Sequence, residues 1–193
     1  MNWLPYYNYI LASRSPRRQM LLKSLGVHFK VKVKEVVESY PHGLKMTEIP
    51  VYLAKLKAQP FFDELVENDL LITADTIVCL DGKVLGKPLD KAEAVEMLQS
   101  LGGKEHQVIS GVCLTSARKQ KAFWSISCVS FRDLTIEEIE YYVDVYKPFD
   151  KAGAYGIQEW IGYIGITHIE GSFYNVMGLP VQQLYSEILD FDM

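Results

Sequence analysis

An α/β fold is what the sequence predicts, and three observations predict it. Strand-like apolar runs alternate with capped helical segments through the first half of the chain. The run LLITADTIVCL, residues 70–80, is almost unbroken in its apolar character, as expected of a strand covered on both faces. The second half turns to hairpins joined by short polar turns. At 193 residues, with 49% apolar and 23% charged, the chain can bury one sizeable core. It shows no internal repeat, low-complexity stretch or linker-like shift. Residues 1–193 are therefore read as a single domain, in one body or two lobes.

YNYILA is the first strand. Ser15 and Pro16 read as a helix N-cap and first helical position, and Gly26 closes the run after Leu21, Leu22 and Leu25, giving a helix over 15–25. HFKVKVKEV alternates Phe29, Val31 and Val33 with lysines, the period of a strand. Thr47 is placed to cap a helix reaching about Ala58, with Pro50 tolerated in its first turn and Pro60 ending or kinking it. LLITADTIVCL is the central strand, and Asp81-Gly82 turns it into KVLG as a hairpin. Asp90 with Glu93 starts a helix that ends at Gly102-Gly103. HQVISGVCLTSA and AFWSISCVSFRDL form a long antiparallel pair around RKQK, and Thr135 with Glu138 caps a helix to about Val145. The tail alternates YIGITHI, a Gly171 turn, YNVMG and a last helix from Pro180.

A net charge of -4 argues against a protein whose whole surface meets duplex nucleic acid. The opening MNWLPYYNYILAS has no basic segment ahead of an apolar run, and no stretch approaches the ~20 apolar residues that span a bilayer. The expectation is a cytoplasmic enzyme-sized protein with no membrane and no nucleic-acid partner. Cys79, Cys113 and Cys128 lie singly in apolar runs and read as reduced core residues. His28, His42, His106 and His168 have no metal-ligand spacing.

Chemistry is suggested at three places. Arg17 and Arg18 occupy the first helical turn, where the macrodipole disfavours each cation by roughly 0.3–1 kcal/mol. A helix N-terminus behind the small-residue turn ASRS is an anion site, and a polyanion such as a triphosphate would make both arginines favourable. The alternative is an exposed pair bridged to Glu35 or Glu38. Asp75 places a carboxylate inside an apolar strand, which costs several kcal/mol unless a cation or hydrogen bonds compensate it. Lys55, Lys57 and Lys87 are the lysines considered for that role. The segment KPFDKAGAYGIQEW, residues 147–160, is polar and glycine-punctuated between apolar elements; Gln158 could read a base edge and Tyr155 stack on a ring, against a plain surface turn.

The stretches LASRSPRRQMLLKSLG, YLAKLKA, ITADTIV, LGKP, GAYGIQ and GSFYNVMGLP together resemble the Maf family of nucleoside triphosphate pyrophosphatases, in the family's order and over nearly the whole chain. The resemblance implies a Maf/ITPase-like mixed twisted sheet with flanking helices, two lobes around a cleft, and hydrolysis of a nucleoside triphosphate to the monophosphate and pyrophosphate. DKAGAYGIQ is similar to the branch acting on dTTP and UTP rather than on 7-methyl-GTP, with modified pyrimidine nucleotides as further substrates. Carried over, the family's ADT aspartate is Asp75 as proton acceptor. Arg17, Thr76 and Gln158 take the specificity positions, Ser13, Arg18, Lys57 and Lys87 line the phosphate site, and Glu38 is the acid matched to a divalent cation, Mg²⁺ or Mn²⁺, with Asp75 either its second ligand or the base that activates water. A homodimer is the family expectation. The chain departs from the family's usual pattern at Arg14 and Glu159, each in place of a glycine, and at Val37, in place of an acid. A second hypothesis is a nucleotide-binding regulator of cell division without significant turnover.

Overall fold

A computed structural model of the chain describes residues 4–191. Its elements are β1 (Asn8–Leu11), α1 (Pro16–Ser24), β2 (Phe29–Val31), α2 (Glu48–Ala58), β3 (Asp69–Leu80), β4 (Lys83–Leu85), α3 (Lys91–Leu101), β5 (Glu105–Thr115), β6 (Gln120–Phe131), α4 (Ile136–Tyr146), α5 (Trp160–Gly165), β7 (Ile166–Glu170), α6 (Phe173–Val176) and α7 (Val181–Leu189). Short 3₁₀ turns cover Gln59–Glu64 and Ala152–Ala154. The strands run in the order β2-β1-β3-β5-β6-β7, with β4 also on β3. β1 is parallel to β2 and β3, whereas β3–β4 and β6–β7 are antiparallel, so the sheet is mixed. The parallel pairs follow from helical crossovers and the antiparallel ones from tight turns, as at Asp81 and Gly82, both at positive φ.

The chain divides into two compact units. One gathers residues through Asp75, Ser110–Ser125 and Gly178 onward; the other comprises Thr76–Ile109 and Ile126–Met177. β3, β5 and β6 contribute residues to both.

In the first unit, Ile10 and Leu71 from neighbouring strands pack with Ala58 and Phe61, and Ala12 and Leu65 close the cluster. α2 is drawn tightly onto β5: a Cβ on Gly111 would lie 2.3 Å from the Pro50 carbonyl carbon, so only glycine admits the helix at that distance. The fully buried Thr73 hydroxyl donates to Ala54 O of α2 at 2.7 Å. In the second unit, Thr135 and Glu138 form a complete capping box on α4. Arg132 fixes the helix start through two bonds to Glu138, at 2.7 and 3.0 Å, and donates from Nε to Ile164 O. Asn175 donates to Val108 O and Ser127 Oγ, anchoring α6.

Several sequence expectations change. β2 covers only Phe29–Val31 and is largely exposed, with Val33 beyond it. It pairs on one side only, and the flanking lysines suit a protected sheet edge better than a buried face. Thr47 has helical φ and ψ and makes no side-chain cap, because Lys45 O already accepts from Glu48 and Ile49 N–H and starts the turn earlier. The first residues of YIGITHI close helix α5, and YNV lies in α6, where Ser172 caps Asn175 N. Cys79 and Cys113 are buried and Cys128 is half-buried; all three are free, and loss of solvent raises each thiol pKa.

Candidate functional site

Side chains two apart on a strand share a face, so Thr73 and Asp75 on β3 both turn toward α2. Residues three apart on a helix share a face in the same way. Thr73 meets Ala54 and Asp75 meets Lys57: the ammonium donates to Asp75 Oδ1 at 2.6 Å. Lys57 also pairs with Glu38 at 3.1 Å, so one ammonium joins two carboxylates. The side chains of Lys57 and Asp75 are only 15% and 11% exposed, whereas Glu38 is 43% exposed and opens the group to solvent. The cation that the buried strand carboxylate called for is therefore Lys57 of the helix packed across it. Lys55, the other lysine on that helix, is exposed.

Arg18 answers part of the puzzle of the first-turn arginines. β1 ends at Leu11, opposite Ile72, and Ala12 N–H bonds Ile72 O. The next carbonyl on that edge of β3, Ala74 O, accepts from Arg18 Nη1 at 2.9 Å, while Arg18 Nε donates to Gly178 O at 2.8 Å. Arg18 thus continues the strand pairing where β1 stops and pins the peptide ahead of Asp75. Loss of solvent pulls its pKa below the usual arginine value; Asp75 and Glu38 push it up and Arg17 pulls it down. It stays charged and adds cation beside the carboxylates.

The loop before α1 is preorganised. Ser13 is buried, its hydroxyl accepts from Ser15 N–H at 3.2 Å, and its carbonyl accepts from Gln19 Nε2. Ser15 Oγ caps Arg18 N as expected. Arg17 is half-buried on the first turn of α1. Arg14, where the family's glycine is usual, forms a solvent-exposed pair with Glu35 at 3.1 Å. Val37 is 83% exposed. Glu35 and Glu38, considered as partners for the first-turn arginines, pair with Arg14 and Lys57 respectively.

Ser13, Arg17, Arg18, Glu38, Lys57 and Asp75 belong to the first unit, and Thr76, Lys87 and Gln158 to the second. Thr76 is the half-buried residue of an otherwise buried β3. Lys87 is exposed on the connection after β4. Gln158 follows the 3₁₀ turn Ala152–Ala154; its carboxamide oxygen is buried and has no hydrogen-bond partner. A buried acceptor left unpaired costs about 1–3 kcal/mol.

The segment 147–160 is no surface turn: Lys151 and residues 153–157 are buried. Tyr155 is not available to stack on a base. It is 6% exposed, sits edge-on to Phe131 and His106, and its hydroxyl lies 2.7 Å from His106 Nε2. Burial lowers the His106 pKa to about 4 and raises that of Tyr155. Sequence reading missed this pair, as it missed the contacts of Tyr142, Lys151 and Glu159, because none of them shows a local pattern beyond ordinary polar or aromatic character.

Two carboxylates meeting at one cationic point form a hard oxygen donor set, the kind that holds Mg²⁺ or Mn²⁺ together with substrate phosphates and water. Among the described residues, no group of three or more His, Cys, Asp or Glu is arranged to hold a metal. Asp75 and Glu38 therefore fit a metal only with further oxygens from a bound phosphate. No helix among the described residues is long and apolar enough to cross a membrane.

A family model described as "Maf-like protein" matches residues 8–191. A protein of Bacteroides thetaiotaomicron named dTTP/UTP pyrophosphatase is 58% identical over 186 residues, 96% of each chain. One of Porphyromonas gingivalis with the same name is 50% identical over 191 residues, 97% of this chain and 96% of its own. Among solved structures, the Ham1 protein of Staphylococcus aureus gives a TM-score of 0.45 at 13% identity, over 65% of this chain and 72% of its own.

Proposed function

The chain belongs to the Maf family, and from that premise we propose that it is a nucleoside triphosphate pyrophosphatase, hydrolysing dTTP and UTP to the monophosphate and pyrophosphate. The observation that carries the chemistry is the Lys57 ammonium held between Asp75 and Glu38. Lys57 reaches Asp75 through Oδ1, which leaves Oδ2 as the oxygen that accepts a proton from water. That water attacks the α-phosphorus in line, the α–β phosphoanhydride bond breaks, and pyrophosphate leaves. Arg17, Arg18 and Lys57 set positive charge against the phosphates, and the N-terminus of α1 behind Ser13 adds its dipole; the resemblance assigns Lys87 the same role.

A divalent cation held by Asp75 and Glu38 would neutralise developing charge on the phosphate oxygens. Arg18 keeps the Asp75 backbone in place through Ala74 O. The base is read by Gln158 with Thr76 and Arg17. The buried, unpaired Gln158 oxygen supports this role, since the N3–H of uracil or thymine is the donor it lacks and O4 accepts from the amide nitrogen. Cytosine offers an acceptor at N3 instead, and a purine is larger.

Pyrophosphate release from dTTP, UTP, CTP, GTP, ATP and 7-methyl-GTP, with Mg²⁺ or Mn²⁺ and with EDTA, tests the reading. Metal-dependent turnover fastest on dTTP and UTP is expected, and equal turnover of GTP and dTTP would contradict the base preference. No specific observation favours the regulator without turnover. Arg14 and Val37, the departures that suggested it, are exposed and leave the Asp75–Lys57–Glu38 contacts intact. The resemblance further implies modified pyrimidine nucleotides as substrates and a homodimer; sedimentation of the purified protein checks the last.

A further inference from the structure

The Glu159 carboxylate is not idle. One oxygen accepts from the Tyr142 hydroxyl and the other pairs with Lys151 Nζ at 3.2 Å. Tyr142 is fully buried, and its oxygen in turn accepts from the Gly156 N–H at 3.0 Å. The Lys151 side chain is only 8% exposed, and its ammonium also meets Asp150 at 2.7 Å. Glu159 and Gly156 are joined once more through the main chain, Glu159 N–H donating to Gly156 O at 2.9 Å. A helix (Tyr142), the loop before the 3₁₀ turn (Lys151) and the residue ahead of α5 (Glu159) thus grip one short turn, residues 156–159.

Gln158 lies inside that grip. A Cβ on Gly156 would fall 2.8 Å from the Glu159 carboxyl carbon and 3.0 Å from Gln158 Nε2. The absence of that Cβ lets both side chains settle against one Cα, so a shift in the Glu159 carboxylate is felt by the Gln158 amide. The amide makes no hydrogen bond through its own buried oxygen. We propose that Tyr142, Lys151 and Glu159 are positioning residues for base selection, holding the 156–159 turn so that the Gln158 amide keeps the orientation that accepts an N3–H. The inference rests on Gln158 reading the base. Cytosine would need the amide reversed, with the nitrogen offered where the oxygen now lies.

The test compares kcat/KM for dTTP and for CTP in wild type, Gln158→Ala, Tyr142→Phe, Glu159→Ala and Glu159→Gln. Tyr142→Phe and Glu159→Ala are expected to lower the dTTP-to-CTP ratio about tenfold through a higher KM for dTTP, with CTP turnover nearly unchanged. Glu159→Gln, which still offers an oxygen to Tyr142, should keep most of the ratio. A parallel fall on both substrates, or an unchanged ratio, overturns the proposal. If Tyr142→Phe fails to fold, the Glu159→Ala and Glu159→Gln pair decides alone. A wild type without dTTP preference, or a Gln158→Ala variant that keeps it, removes the base-reading role and this inference with it. Loss of the ratio in Gln158→Ala alone removes only this inference.

Discussion

The Asp75 group and the Gln158 turn are built on opposite plans. Around Asp75, Lys57 touches two carboxylates directly while Arg18 grips the adjoining backbone, and three of these residues stand on regular elements: Asp75 on β3, Lys57 on α2, Arg18 on α1. Around Gln158 the side chain assigned to recognition makes no hydrogen bond through its oxygen, and the Tyr142 hydroxyl holds the backbone of Gly156 two residues before it. Charge handling needs groups in contact at fixed distance, whereas reading a base edge needs an unpaired amide held still. Variants in the first region should thus impair every nucleotide, and variants in the second should change which nucleotide is preferred.

The largest effect tests the first region. Asp75→Asn keeps shape and removes the proposed proton acceptor, so kcat should fall on the order of 10³-fold on all substrates, within the range of lost general-base catalysis. Steady-state kinetics beside a circular dichroism spectrum checks it. Near-wild-type turnover with the fold retained would end the assignment.

The second region has its own pH-sensitive support. His106 titrates near 6.5 unfolded and at about 4 in the fold, because burial opposes its charge. The folded chain therefore binds fewer protons between those values. The contribution of neutral His106 is fully present above about pH 6.5, declines as pH falls, and is gone near pH 4. At about 1.4 kcal/mol per pKa unit, the loss is about 3 kcal/mol. His106→Gln, which cannot titrate there, should flatten the pH dependence of the urea midpoint across this window relative to wild type. Parallel curves would show that His106 does not carry it.

Smaller still is the expected effect at Gln158. Gln158→Ala should reduce kcat/KM for dTTP about tenfold, the scale of one or two neutral hydrogen bonds, while CTP changes little. A comparable loss on CTP would merge the two regions into one and break the comparison.

The two regions also differ in how far the sequence disclosed them. LLITADTIVCL announces a buried strand, and a carboxylate inside it demands a cation, so the Asp75–Lys57 pairing was half legible; which lysine required the packing of α2 on β3. The first-turn arginines were visible as an anomaly, but the carbonyls that satisfy Arg18 lie 56 and 160 residues away. In the other region, glycine punctuation read as an exposed loop with Tyr155 free to stack. The surrounding β-sheet side chains bury it instead, and Lys151 loses its solvent without any local sign. Periodicity reports which face an element buries; it does not report what closes over a loop.

The smallest effect concerns Arg14, and it decides between turnover and a silent binding site. If Arg14 crowded the phosphate loop, truncating it would raise activity. The side chain instead points to solvent and pairs with Glu35, with both partners more than 70% exposed. Such pairs contribute about 0–1 kcal/mol because water and salt screen them. Arg14→Ala is therefore expected to move stability by less than about 0.5 kcal/mol and dTTP turnover by less than twofold. A severalfold rise in turnover would instead mean that the loop holding Ser13 is obstructed in the native chain. The first region would then owe its state to Arg14, whose ion pair is with Glu35 and not with the charged groups around Asp75.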